Sequence, residues 1–225
     1  MTANQAIRWL LKPAVFLTAL APLALLIRGL LAGSLGADPL AEITSATGVW
    51  TLRFISLTLA ITPLRRVTGW NGVIRFRRMI GLFAFFYGSL HLIIFIVADR
   101  LASLGFPSPL AWQTLRDLTA SVGGEVLRRP YITAGFGSWL LMLALALTST
   151  AGMIRRLGGR RWQALHRLVY PAAIAGVVHY WWSVKADVRN PRTYAVAVIA
   201  LLAFRAVVWM RRHRVTRMHT LSARL

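Results

Sequence analysis

Three histidines, His91, His166 and His179, lie inside long apolar runs and are the side chains there most able to do chemistry. A titratable imidazole is costly in lipid and is retained for ion, proton or cofactor chemistry more often than by accident. His166 and His179 share the segment Trp162 to Trp182, WQALHRLVYPAAIAGVVHYWW, thirteen residues apart. At helical rise that spacing is roughly 20 Å, so one metal ion cannot hold both. His91 lies about thirteen residues beyond Arg78 in RRMIGLFAFFYGSLHLIIFIVADR, and His179 lies a comparable distance beyond Gln163. These two therefore reach similar depths and can face each other.

Each of the matched pair follows a glycine by three residues, Gly88 before His91 and Gly176 before His179. The spacing puts each glycine on its histidine's helix face, and the expected gap is the flat space a porphyrin requires. A lone membrane histidine has an ordinary reading as a hydrogen-bonded packing residue. Zinc would recruit carboxylate or thiolate ligands, and the spans contain neither. Two neutral imidazoles closing both axial positions of a haem give a low-spin electron-transfer centre with little room for oxygen chemistry. The expected metal ligands are His91 and His179 to haem iron, with His166 a candidate for a second haem.

His166 keeps two readings, a haem ligand or an interfacial structural histidine. No histidine faces it from the start of the helix that carries His91, where Arg77, Arg78 and Met79 stand. A straight helix would leave His166 and His179 roughly 140° apart in azimuth, a phase that a kink at Pro171 could change. His213 and His219 fall in the basic tail and read as solvated bystanders.

The elements that must position these groups are membrane helices. The 225 residues are 57% hydrophobic and 15% charged, with a mean hydropathy of +0.59, unlike an average soluble domain. The net charge of +21 comes from short arginine clusters between apolar runs, which suits anionic lipid headgroups and not nucleic acid. Without cysteine, the chain can hold no disulfide, iron–sulfur cluster or thioether-linked haem. Any redox work needs a bound cofactor. The apolar run from Pro13 to Leu31 is long for a signal peptide and reads as a first transmembrane helix.

Apolar windows at about 13–33, 48–64, 79–98, 131–151, 165–184 and 193–210 predict an all-α integral membrane protein, a bundle of six transmembrane helices in one domain spanning 1–225. Arg8 and Lys12, Arg65 to Arg78, Arg155 to Arg161 and the tail from Arg211 collect on one side. The positive-inside rule makes that side, and both termini, cytoplasmic. All six acids, Asp38, Glu42, Asp99, Asp117, Glu125 and Asp187, fall in the other set of loops. In the one long loop, Ala111, Leu115, Leu118 and Val122 recur at helical spacing and predict an interfacial amphipathic helix, either a connector or a docking surface. Arg28, Arg53 and Arg205 lie in or at the rims of spans. Snorkelling is their default, and pairing with haem propionates is the alternative, best for Arg53. Trp50 and Tyr180–Trp181–Trp182 are expected in interfacial belts, where a quinone pocket is a weaker alternative.

RRMIGLFAFFYGSLH followed by LHRLVYPAAIAGVVHYWW, in a basic six-span chain of this size, resembles the MsrQ family of the ferric-reductase-like transmembrane superfamily. The resemblance covers roughly residues 48–210. It implies a b-type haem subunit of the bacterial inner membrane, with one or two haems, serving a protein-methionine-sulfoxide reductase system. The implied partners are MsrP, a periplasmic molybdenum-cofactor reductase, as acceptor, and quinol or a cytosolic flavin reductase as donor. The family has also been associated with flavin mononucleotide (FMN). By the same resemblance His91, His166 and His179 match haem-associated histidines, whereas broader superfamily members carry a second histidine on the helix of His91. Terminal catalysis then belongs to a partner chain. The competing readings are a quinol-linked cytochrome b with another acceptor and a haem-free proton-coupled transporter, which the absence of intramembrane carboxylates disfavours.

Overall fold

The computed structural model describes residues 2–97, 111–184 and 187–222, and all the regular structure among them is helical. A helical turn at Ala3–Ala6 and a π-turn at Ile7–Leu11 lead into α1, Lys12–Leu31. Then follow α2, Pro39–Thr68; a 3-10 segment, Asn71–Phe76; and α3, Arg77–Ile94. After residues 98–110, which lie outside the described set together with Asp99, come α4, Ala111–Arg128, and α5, Pro130–Leu147. The chain ends with α6, Ala151–Leu165; a 3-10 turn, His166–Leu168; α7, Val169–Ser183; and α8, Arg189–Ser222.

Among the described residues, five segments are long and apolar enough to cross a membrane: Asn4–Leu31, Pro39–Thr68, Asn71–Val97, Pro130–Leu147 and Arg189–Arg211. This is a multi-pass membrane protein. The span expected at 165–184 differs, because the 3-10 turn at His166–Leu168 breaks it and leaves α7 with 15 residues. Two elements extend beyond the apolar windows. The α2 helix starts at Pro39 because the Asp38 carboxylate accepts from the Ala41 N–H at 3.0 Å, a polar cap that hydropathy does not register. The basic segment read as an inner loop is helical as α6, capped by Thr150 and broken at Gly158, whose φ of 72° suits glycine.

The bundle is built on two close pairs, α2 with α3 and α5 with α7. Contacts of α3 with α5 and of α2 with α7 join the pairs, and α8 closes against α2 and α7. Phe54, Ile55, Leu59, Phe83, Tyr87, Met142 and Ala172 form the centre of the core. Polar bonds fix the helices' rotation: Ser138 Oγ donates to the Ala172 carbonyl at 2.8 Å, and Trp139 Nε1 donates to Ser89 Oγ at 3.0 Å. Trp50, expected in an interfacial belt, packs instead on Phe54 and Tyr87 at ring separations of 5.8 and 6.3 Å. Trp181 and Trp182 are exposed, as a belt requires.

Tyr87 is fully buried, and its hydroxyl inserts into the backbone ladder of α1 beside Pro22. It accepts from the Leu23 N–H at 3.2 Å and donates to the Ala19 carbonyl at 2.8 Å. Tyr87→Phe strands both backbone groups in an apolar setting, where each orphan costs about 1–3 kcal/mol. The variant is expected to unfold at lower denaturant than wild type in detergent with an unchanged helical circular-dichroism signal.

Candidate haem-binding site

His91 is placed near the C-terminal end of α3 and His179 near that of α7, and the antiparallel arrangement brings both to one end of the bundle. Their ring centroids are 5.9 Å apart, with the planes inclined at 77°. Each ring is anchored through the same atom. His91 Nδ1–H donates to the Thr44 carbonyl in α2 at 2.9 Å, and His179 Nδ1–H donates to the Tyr131 carbonyl at the start of α5 at 2.7 Å. A carbonyl can only accept, so each Nδ1 carries a proton, and in the neutral ring Nε2 then keeps its lone pair. Among the described residues neither Nε2 has a hydrogen-bond partner. This is the arrangement that prepares a histidine for a metal, with the far nitrogen fixing tautomer and ring direction.

Glycines on neighbouring helices make room for the rings. A Cβ at Gly135 would stand 2.6 Å from His179 Nδ1, and one at Gly48 would stand 3.2 Å from the His91 ring. The gaps expected from Gly88 and Gly176 are filled differently. A Cβ at Gly88 would meet Met142 at 3.0 Å and Thr51 at 3.4 Å, and one at Gly176 would meet Leu52 at 3.2 Å. Those two glycines serve helix approach, the usual role of small residues between membrane helices. Tyr131 also stacks on His179, with centroids 6.1 Å apart and planes at 29°.

His166 does not join the pair. It occupies the 3-10 turn before α7, stacked 3.8 Å from Trp162, with Nδ1–H donating to the Trp162 carbonyl at 3.1 Å and Nε2 3.3 Å from Ser149 Oγ. The side chains of His213 and His219 lie outside the described residues. Among the described residues no cluster of three or more histidine and acidic ligands is present, which leaves the two-imidazole arrangement as the metal-competent one. Arg53 is exposed, lies 4.4 Å over the Trp50 ring and donates to Tyr194 Oη at 3.0 Å. Arg205, expected to snorkel, turns inward to bond the Leu59 carbonyl, Thr62 and Tyr170. Those inward acceptors are what an extended arginine in a packed bundle finds before it reaches a headgroup.

Residues 47–177, which contain all three histidines, match the family described as "Ferric reductase like transmembrane component". A protein of Xanthomonas euvesicatoria pv. vesicatoria named "Protein-methionine-sulfoxide reductase heme-binding subunit MsrQ" is 47% identical over 204 residues, covering 88% of this chain and 85% of the relative. The chain belongs to the MsrQ family. An MsrQ of Herminiimonas arsenicoxydans is 44% identical over 208 residues, 91% of this chain and 88% of its own, and one of Xanthomonas campestris pv. campestris strain 8004 is 46% identical over 208 residues. These MsrQ relatives are named as haem-binding subunits of a methionine-sulfoxide reductase, and the donor set at His91 and His179 fits such a group: two imidazoles anchored through Nδ1, with Nε2 unengaged and no cluster of acidic ligands among the described residues.

Proposed function

We propose that this chain is the haem b-binding electron-transfer subunit of a methionine-sulfoxide reductase system in the bacterial inner membrane, with His91 and His179 as the axial ligands of one haem. The observation that carries the reading is the matched anchoring of the two imidazoles by Thr44 and Tyr131, which leaves both Nε2 atoms available. His91 and His179 would hold the haem, which would supply one-electron transfer when bound. The protein's part is to hold both rings neutral and oriented, and to keep water and oxygen from the site by packing Gly48 and Gly135 against them. His166 is the candidate ligand of a second haem, which would require Nε2 to leave Ser149 and a partner other than a described histidine. An absorption spectrum of the detergent-purified protein, oxidised and then reduced with dithionite, tests the reading. A reduced b-type signature is expected, and a colourless protein would favour the haem-free transporter.

The same proposal has six spans with both termini cytoplasmic. At helical rise α7 is roughly 22 Å long, and the preceding 3-10 turn adds roughly 6 Å, close to the ~30 Å hydrocarbon core. Reporter fusions after Leu225 and within 154–163 are expected to read cytoplasmic, and fusions within 111–128 external. An external reading at Leu225 reverses the direction of electron flow. Electrons enter at the arginine-rich face from quinol or a cytosolic flavin reductase, with FMN as the further cofactor of this chain that the family resemblance implies, and leave to the periplasmic reductase MsrP near α4. In α4, Arg116 and Asp117 are exposed, whereas Glu125 is engaged by Arg129 at 2.7 Å. Arg116 and Asp117, exposed and outside that ion pair, are therefore placed to steer an acceptor.

A further inference from the structure

At the end of the bundle opposite the histidine pair, a cavity of about 470 Å³ is lined by Arg66, Arg167, Arg205, Thr62, Tyr170 and Trp209, among others. Arg205 lies on α8 within an apolar stretch. It donates to the Leu59 carbonyl at 2.7 Å, to Thr62 Oγ1 at 3.1 Å and to Tyr170 Oη at 2.9 Å. These acceptors are neutral. The Arg205 Nε–H is buried and has no hydrogen-bond partner among the described residues. Arg77, at the start of α3, is within electrostatic reach and opposes the Arg205 charge. The described acids Asp38 and Glu42 sit at the far end of α2, Asp187 precedes the far end of α8, and Asp117 and Glu125 belong to α4. Among the described residues no carboxylate lines the cavity.

Neutral acceptors satisfy N–H groups but do not neutralise a charge held in an apolar medium, which stays costly without a counter-ion. We propose that this cavity binds a phosphate group, and that its occupant is the phosphodiester of an anionic membrane lipid. Guanidinium forks match phosphate oxygens in pairs, which makes Arg205 at the base and Arg167 at the rim a clamp for one group. Tyr170 Oη accepts from Arg205 and so has its own hydrogen to donate. A cavity of this size falls in the range of about 300–1,000 Å³ typical of small-ligand sites and exceeds a bare phosphate. Leu202, Val208 and Trp209 supply the apolar wall that a lipid's glycerol and first methylenes would meet. The proposal does not rest on the haem reading.

The test reconstitutes the full chain in nanodiscs of phosphatidylcholine, with or without phosphatidylglycerol, and measures the thermal midpoint. Phosphatidylglycerol is expected to raise the wild-type midpoint by about 5 °C. Arg167→Gln at the exposed rim is expected to lose most of that gain, whereas Arg160→Gln, the same charge change in α6 outside the cavity, keeps it. Arg205→Gln also removes three bonds between helices, so Arg167→Gln is the deciding variant. If inorganic phosphate in phosphatidylcholine discs gives the same gain, again lost in Arg167→Gln, the anion site stands and the lipid source falls. No wild-type gain, or equal gains in Arg167→Gln and Arg160→Gln, overturns the site.

Discussion

His91→Ala and His179→Ala are each expected to remove the same haem, and His166→Ala to spare it. The two imidazoles sit 5.9 Å apart by ring centroid, each pinned through Nδ1 to a backbone carbonyl of a different helix. Loss of only the supporting partner of a metal-bound histidine typically costs 10–100-fold in affinity, and loss of the ligand itself costs more. Either alanine variant should therefore purify with little haem, and any that remains should carry an open axial position and a high-spin spectrum. His166 is held by Trp162 and Ser149 at the other end of α7, so its removal leaves both anchors untouched. Haem content per chain and the reduced spectrum check this, with circular dichroism reporting that the helices persist. Full haem content with a low-spin spectrum in His91→Ala would refute the pairing.

The closeness of the His91 and His179 rings was legible in the sequence because helical rise is fixed: distance from the arginine clusters gives depth, and depth matched His91 to His179. The all-helical class was legible for a similar reason, since apolar runs of bilayer length have few alternatives. The glycines beside the imidazoles were not. Gly88 and Gly176 share a helix face with each histidine, yet the rings lie against Gly48 of α2 and Gly135 of α5, helices whose rotation is set by tertiary packing. No periodicity within one helix encodes which face of a neighbour it will meet. The break before α7 was missed for a different reason. Hydropathy reads straight through residues 165–184, whereas the backbone tightens at His166–Leu168, a segment that ends three residues before Pro171. Polar capping explains the early start of α2, where the apolar signal begins only after Asp38 has already organised the first turn.

Gly135 gives the sharpest test of the close approach behind the site. A Cβ there would stand 2.6 Å from His179 Nδ1 and 2.9 Å from Cε1 and Cγ, closer than such atoms pack. The ring cannot slide away freely, because Nδ1–H is bonded to the Tyr131 carbonyl at 2.7 Å and the Tyr131 ring stacks beside it. Gly135→Ala must therefore break that anchor or spread α5 from α7. Overpacking of this kind costs about 1–3 kcal/mol. If it falls on the haem-bound state, it weakens haem affinity about 5–150-fold. Gly48→Ala approaches the His91 ring only to 3.2 Å, so a small shift relieves it and the loss is smaller. Gly137→Ala, on the same helix with nothing within 4 Å of the added carbon, is the control. Intrinsic helix propensity favours alanine over glycine by about 1 kcal/mol, so this control is expected to be at least as stable as wild type and to bind haem normally. Haem titration of the three variants is expected to order them Gly135→Ala weakest, Gly48→Ala intermediate and Gly137→Ala unchanged. Equal affinities for Gly135→Ala and Gly137→Ala would mean that the His179 ring is not held against α5 when haem is bound.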